Sequence, residues 1–202
     1  MEGFSIRFLT TILLLICTIL VVDVGATECD YSFSCTKERF SRFTETQKSS
    51  LRQAYKLGQP SGWGKTLIAL AVVESDACVN KANLSTHDFG CFHGNIKTVY
   101  ARYMMSNDVE YKNHNKSYIE GWLATRLMGS MDIAAKYAIA ELDWWESRRG
   151  SREHKIDEII ESYNGGYTLS PATHDFFLRV NTVYRVLRAD NGEVLRVLLD
   201  EY

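Results

Sequence analysis

A run of apolar and small residues over 67–73 ends at the carboxyl group of Glu74. The segment Pro-Ser-Gly-Trp-Gly over 60–64 precedes this run and indicates where a buried element begins. Two alanines dilute its β-branched content, so the pattern predicts a core helix that ends near Glu74. Apolar surroundings and a helix C-terminus both disfavour a negative charge, and a carboxyl group with a raised pKa can act as a general acid. The alternative is a glutamate at a helix end that simply reaches solvent.

Helical periodicity continues along most of the chain. Apolar residues three and four positions apart predict an amphipathic helix from about Phe40 to Gly58, which Pro60 follows. The polar segment 76–95 favours a loop or a short hairpin-like excursion, and the apolar tail 193–202 is expected to pack or pair. The expected fold class is mainly α, a single domain of about six to eight helices. The further helices are predicted over 96–104, 131–145, 156–163 and 171–187, and a polar stretch over 106–117 separates the first of them from the segment 118–127.

The composition supports one domain and argues against several kinds of partner. The chain has 202 residues, 46% of them hydrophobic, which is enough to bury a sizeable core. A net charge of −2 gives no indication of a nucleic-acid partner. No GxGxxG, Walker or HExxH motif occurs and the five histidines lack metal-ligand spacing, so neither a cofactor nor a metal is expected.

The N-terminal segment predicts export. Arg7 precedes an apolar run over 8–22, and Val-Gly-Ala over 24–26 offers the small residues that a signal peptidase accepts. This run is short for a bilayer span but typical of a signal-peptide core. We therefore expect 1–26 to be a signal peptide and 27–202 to be a periplasmic or secreted domain. The alternative is that 1–26 remains as an uncleaved anchor, the one case in which a membrane would be a partner.

The cysteine count fits an exported domain. Cleavage after residue 26 removes Cys17 and leaves Cys29, Cys35, Cys78 and Cys91, an even number that predicts two disulfides. Three pairings are possible. We favour the local pairs Cys29–Cys35 and Cys78–Cys91, while a link from the N-terminal arm to the loop after Glu74 is the main alternative. Plain buried thiols are the remaining possibility.

Three separated motifs share an order and a spacing with one enzyme family. They are Ala-Val-Val-Glu-Ser over 71–75, Asp-Phe-Gly-Cys-Phe-His-Gly-Asn over 88–95, and Glu-Ser-Tyr-Asn-Gly-Gly over 161–166, the last preceded by Met-Asp-Ile-Ala-Ala-Lys-Tyr over 131–137. Together they resemble the soluble-type (SLT) lytic transglycosylases and their goose-type lysozyme relatives over about 63–167. Residues 170–202 would then form a C-terminal helical extension.

The resemblance implies a lysozyme-like fold with an active-site groove and a single catalytic carboxylate, Glu74. The family cleaves the β-1,4 bond between N-acetylmuramic acid and N-acetylglucosamine in peptidoglycan. One glutamate protonates the leaving oxygen and then takes the proton of the C6 hydroxyl, which closes a 1,6-anhydro ring. The implied partners are glycan strands and, beyond them, a secretion, pilus or phage machinery.

The resemblance also implies roles for residues around Glu74. Asp88 and Gly90 would shape the loop, with Asp88 not acting as a nucleophile, and His93 stands where the family has a glutamine or asparagine. Its imidazole would bond an acetamido group and add pH dependence, or it is a loop histidine without a role. Ser75 and Tyr163 have plainer alternatives, a helix cap and a core tyrosine. The substrate-binding set implied by the resemblance is Ser75, Phe92, His93, Tyr163 and Asn164.

Two other functions stay open from the sequence. A hydrolytic lysozyme or chitinase-like glycosidase on the same fold would use a second carboxylate. Its candidates are Asp76 and Asp88, of which Asp76 is two residues from Glu74 and would point elsewhere on a continuing helix. The remaining alternative is a non-catalytic glycan-binding or structural domain that keeps the fold.

Overall fold

The computed structural model describes residues 30–107 and 110–200, and these residues form nine α-helices and a small sheet. The predicted signal peptide or anchor, 1–26, lies outside them. The fold class is mainly α, as predicted, with one helix more than the upper end of the expected count. The helices are α1 (Phe33–Arg42), α2 (Glu45–Gly58), α3 (Gly64–Ser75), α4 (Ile96–Met105), α5 (Lys116–Gly129), α6 (Met131–Arg149), α7 (Arg152–Gly165), α8 (Pro171–Arg188) and α9 (Glu193–Leu199).

The helix predicted from about Phe40 to Gly58 is wrong at its start, because the chain breaks into α1 and α2. The backbone of Phe43 is extended, and Thr44 opens α2 with a capping box. The Thr44 side chain accepts from the backbone N–H of Gln47, whose own side chain accepts from the backbone N–H of Thr44. Phe40 and Phe43 both stay buried across the break, so the apolar spacing continues while the helix does not.

Helix α3 is the core helix that the sequence predicts. Its residues over 67–72 are fully buried, and burying each large aliphatic side chain stabilises the fold by about 1.5–3 kcal/mol. α2 and α8 pack against it closely. Gly64 permits the approach of α2, since a Cβ atom there would lie 3.0 Å from the ring of Tyr55.

The segment after α3 turns sharply into the predicted hairpin-like excursion. Asp76, Ala77 and Cys78 all have positive φ angles, so the helix stops at Ser75 instead of continuing. The carboxylate of Asp76 accepts from Arg39 at 2.6 Å. The three short strands that follow are antiparallel in the order β1 (Ala82–Asn83), β2 (Asp88–Phe89) and β3 (Gly94–Asn95).

The remaining helices complete the body around α3. α6 packs on α7 and α7 on α8, and α6 also contacts α2, α5 and β3. The apolar tail packs as helix α9 against α8 and α2, where the backbone carbonyl of Leu198 accepts from Arg52 at 2.6 Å. Within 30–107 and 110–200, no helix is both long and apolar enough to cross a membrane.

Candidate active site

The small sheet and helices α3, α4, α5, α6 and α7 line an open cavity of about 500 Å³, called here the Glu74 cavity. Its volume lies in the range usual for ligand sites. Most of the residues that the motifs single out meet there, although they are separated by up to 90 positions in the chain. The predicted site residues that line it are Glu74, Asp88, Phe92, His93, Tyr163 and Asn164.

Glu74 stands in the last turn of α3 and faces this cavity with 14% of its side chain exposed. Its Oε2 atom lies 3.4 Å from Nδ1 of His93. Burial raises the pKa of Glu74 above its ordinary value, the contact with His93 opposes this, and the negative charge of Asp88 adds to it. The carboxyl group is therefore biased towards the protonated form that a general acid requires.

His93 is fixed on both sides of its ring. Its Nε2 atom lies 2.7 Å from the carbonyl oxygen of Asn80, while Nδ1 faces Glu74. The backbone of His93 has a φ angle of 44°, and its N–H donates to the carbonyl of Gly90 at 3.2 Å. Burial alone would lower the pKa of His93, but the contacts with Glu74 and with the Asn80 carbonyl raise it overall.

Ser75 does not line the Glu74 cavity, although the resemblance places it in the substrate-binding set. Its side chain is fully buried behind Glu74, where Oγ accepts from the backbone N–H of Cys78 at 3.0 Å. The hydroxyl donates to the carbonyl of Cys91 at 2.6 Å. Ser75 therefore connects the end of α3 to the turn and the loop, and it supports the site without reaching a ligand.

A disulfide joins Cys78 to Cys91, which confirms the pairing favoured for this part of the chain. It ties the turn after α3 to the loop that carries Phe92 and His93. Two connections therefore hold the loop beside Glu74: the covalent bond of this disulfide and the hydrogen bond from the Ser75 hydroxyl. Cys29 lies outside the described residues, so its predicted pairing with Cys35 stays a prediction.

Tyr163 comes from α7 and holds the loop from the opposite side. Its hydroxyl donates to the backbone carbonyl of Phe92 at 2.9 Å, and the Phe92 side chain is 1% exposed beneath the loop. Burial raises the pKa of Tyr163 well above its ordinary value, and the negative charges of Glu74, Glu141 and Asp88 add to this effect. The hydroxyl therefore remains a hydrogen-bond donor at any pH at which the protein would work.

Asp88 and Gly90 lie at the start of the loop 88–95. The Asp88 carboxylate accepts from the side-chain amide of Asn95 at 2.8 Å, across the pairing of β2 and β3. Gly90 has a φ angle of 84°, and a Cβ atom there would lie 2.8 Å from the carbonyl oxygen of Leu127. Both the backbone angle and the close approach require glycine at this position.

An ion pair that lines the Glu74 cavity was not predicted from the sequence. Arg102 from α4 donates to Glu141 from α6 through Nε at 2.9 Å and Nη2 at 2.8 Å, and its guanidinium lies 4.1 Å from the ring centroid of Trp144. The one signal in the sequence is helical spacing. Glu141 follows Tyr137 by four positions and so shares its face of α6, and both line the cavity.

This arrangement offers one carboxyl group biased towards protonation and two further carboxylates around an open cavity. Such a set suits proton transfer to and from a polar ligand. The residues in 30–107 and 110–200 contain no cluster of side chains arranged to hold a metal ion. No protein-family model, curated protein or solved structure matches the chain.

Proposed function

We propose that this protein is a peptidoglycan lytic transglycosylase in which Glu74 is the single acid and base. The observation that carries the proposal is the convergence of the three motifs on one cavity. Glu74 has a raised pKa there, the loop 88–95 forms one wall, and Tyr163 with Asn164 forms another. The resemblance in the motifs supplies the reaction, and the geometry supplies a reason why one carboxyl group would serve in it.

The proposed reaction uses one carboxyl group twice, first to give a proton and then to take another. Protonated Glu74 donates to the oxygen that bridges the two sugars, and the bond from that oxygen to C1 of the muramic acid breaks. The C6 hydroxyl oxygen then bonds to C1, and its proton returns to Glu74. A carboxyl group can give one proton and later take another only if its pKa lies near the working pH, which burial favours for Glu74.

The surroundings of the cavity support the positive charge that develops on the sugar. Asp88 places negative charge beside the site, whereas the ion pair with Arg102 offsets the charge of Glu141. A fixed charge lowers the barrier when it faces a developing charge of the opposite sign. The bond between Tyr163 and Phe92 keeps the loop in place while this happens.

The proposal includes a lysozyme-like fold and an active-site groove. A helical body with a small antiparallel sheet directly after the helix of the acid is compatible with both. The proposed site of action is the periplasm or the outside of the cell, where glycan strands are the partner. A secretion, pilus or phage machinery would then direct the enzyme.

A hydrolytic lysozyme is the second candidate, because further carboxylates line the same cavity as Glu74. Asp88 and Glu141 are these residues, whereas Asp76 turns away to Arg39. A hydrolase would use one of them to activate a water or to bond to the sugar. The hydrogen bond to Asn95 holds Asp88 and the ion pair with Arg102 holds Glu141, so both already have partners.

Mass spectrometry of the products separates these functions. Purified peptidoglycan sacculi are digested with the protein, and the ends of the released fragments are identified. The proposal predicts 1,6-anhydro ends on muramic acid. Free reducing ends would establish the hydrolase instead, and intact sacculi that retain bound protein would show a glycan-binding domain.

A further inference from the structure

The hydrogen bond to Asn80 determines which nitrogen of His93 carries a proton. A backbone carbonyl can only accept, so Nε2, at 2.7 Å from the Asn80 oxygen, must carry the hydrogen. In the neutral ring Nδ1 is then unprotonated and presents its lone pair to Oε2 of Glu74 at 3.4 Å. The two atoms can attract each other only when a proton lies between them.

We infer that Glu74 and His93 form a coupled pair that holds one proton between Oε2 and Nδ1, with His93 as a positioning residue. With that proton, the pair is either a neutral acid beside a neutral ring or a carboxylate beside an imidazolium. Without it, two lone pairs face each other between side chains that are mostly buried. The pair therefore keeps its proton to higher pH than an isolated Glu74 would.

Other ionisable groups lie near Glu74 and His93, but none of them shares a proton with Oε2 of Glu74 in the way proposed for His93. The negative charge of Asp88 favours the protonated form of both members, and Arg179 favours the ionised form of Glu74. Tyr163 stays neutral because its own pKa is raised. The ionisable groups that face Glu74 or share its cavity come from β2 (Asp88), α4 (Arg102), α6 (Tyr137 and Glu141), α7 (Tyr163) and α8 (Arg179).

The pair has a defined place in the proposed reaction, on which this part of the inference rests. Glu74 gives the shared proton to the bridging oxygen, which leaves the pair with none, and the C6 hydroxyl returns one proton when the ring closes. His93 is not consumed or protonated overall. Its effect is to keep the one-proton state populated, because two coupled groups lose their last proton at a pH no lower than either would alone.

Nitrogen NMR of the histidine rings tests the pair without any substrate. We expect neutral His93 to carry its proton on Nε2 and to titrate above the ordinary value of about 6.5. In Glu74→Gln its apparent pKa should fall, because the partner can no longer ionise. A neutral ring protonated on Nδ1, or the same titration in both proteins, would overturn the inference.

A pH profile of glycan cleavage tests the consequence. We expect the alkaline limb of the profile to move to lower pH in His93→Asn, since asparagine tolerates a positive φ angle but has no group that titrates in this pH range. His154→Asn is the matched control, because His154 is exposed and lies outside the Glu74 cavity. An unchanged alkaline limb in active His93→Asn would contradict the pair and leave the proposed function standing. If the wild-type protein cleaves nothing, the proposed function fails, and the ring titration alone decides the pair.

Discussion

At the scale of single residues, the main feature of the protein is a carboxyl group in surroundings that disfavour its ionised form. Water would solvate the charged form of Glu74 better, but the fold places this residue directly after the fully buried stretch 67–72 of α3. His93 is held in a left-handed backbone conformation so that its ring reaches Glu74. Such local costs are typical of functional sites.

The raised pKa values predict how stability depends on pH. Glu74 and His93 both have folded pKa values above their ordinary values of about 4.5 and 6.5. Their contribution to stability is therefore full at low pH and is lost as the pH rises through the folded values. We expect Glu74→Gln to melt at a higher temperature than the wild type at neutral and alkaline pH, with a smaller difference at acid pH. A difference in melting temperature between the two proteins that does not change with pH would contradict the raised pKa of Glu74.

The hydroxyl of Tyr163 makes a second residue-scale prediction. Tyr163→Phe keeps the ring but leaves the Phe92 carbonyl without its donor, and an unsatisfied buried acceptor costs about 1–3 kcal/mol. We expect this loss in the free energy of unfolding measured with denaturant, together with slower glycan cleavage. Tyr118→Phe is the control, since that side chain is 47% exposed and lies outside the cavity. Equal stability of the two variants would show that the bond to Phe92 contributes nothing.

At the scale of elements, the site depends on how one short loop is fastened to a rigid helix. Three left-handed residues after α3 reverse the chain, and the loop 88–95 returns over the helix end. The Cys78–Cys91 disulfide, the Ser75 hydroxyl and the Tyr163 hydroxyl hold it from different sides. The position of His93 relative to Glu74 follows from these attachments.

Removing the disulfide tests how much the attachment contributes. The bond closes a loop with a sequence separation of 13, for which constraint of the unfolded chain predicts about 3 kcal/mol. We expect the double variant Cys78→Ala with Cys91→Ala to lose about this much free energy of unfolding and to cleave glycan more slowly. Thermal and denaturant unfolding measure the first effect, and sacculus turbidity measures the second. An unchanged rate in the double variant would show that packing alone holds the loop.

At the scale of the whole molecule, the local features could be predicted from the sequence, whereas the features that depend on contacts between distant residues could not. The core helix was evident because an apolar run needs no partner to be recognised. The break at Thr44 also has a local signal, a threonine followed by a glutamine three positions later. The apolar spacing continues across this signal, so the sequence predicted one helix instead of two. The Arg102–Glu141 pair is different, because its members lie 39 positions apart on separate helices.

The contact between Glu74 and His93 belongs to this second class. The sequence placed both residues in one site by their resemblance to a family, but nothing in it showed that the ring would face the carboxyl group. That geometry requires positive φ angles at Asp76, Ala77 and Cys78 and at His93 itself, and such angles are uncommon for any residue other than glycine. Tertiary structure, not local preference, produces the pair.

The rate of sacculus cleavage by Glu74→Gln tests the central claim most directly. The substitution keeps the shape of the side chain and removes its acidic proton. We therefore expect a rate reduced by at least about 100-fold, the usual contribution of a general acid. Glu38→Gln, on the surface away from the Glu74 cavity, should cleave at the wild-type rate. A Glu74→Gln protein that clears sacculi as fast as the wild type would contradict the assignment of Glu74 as the acid and base.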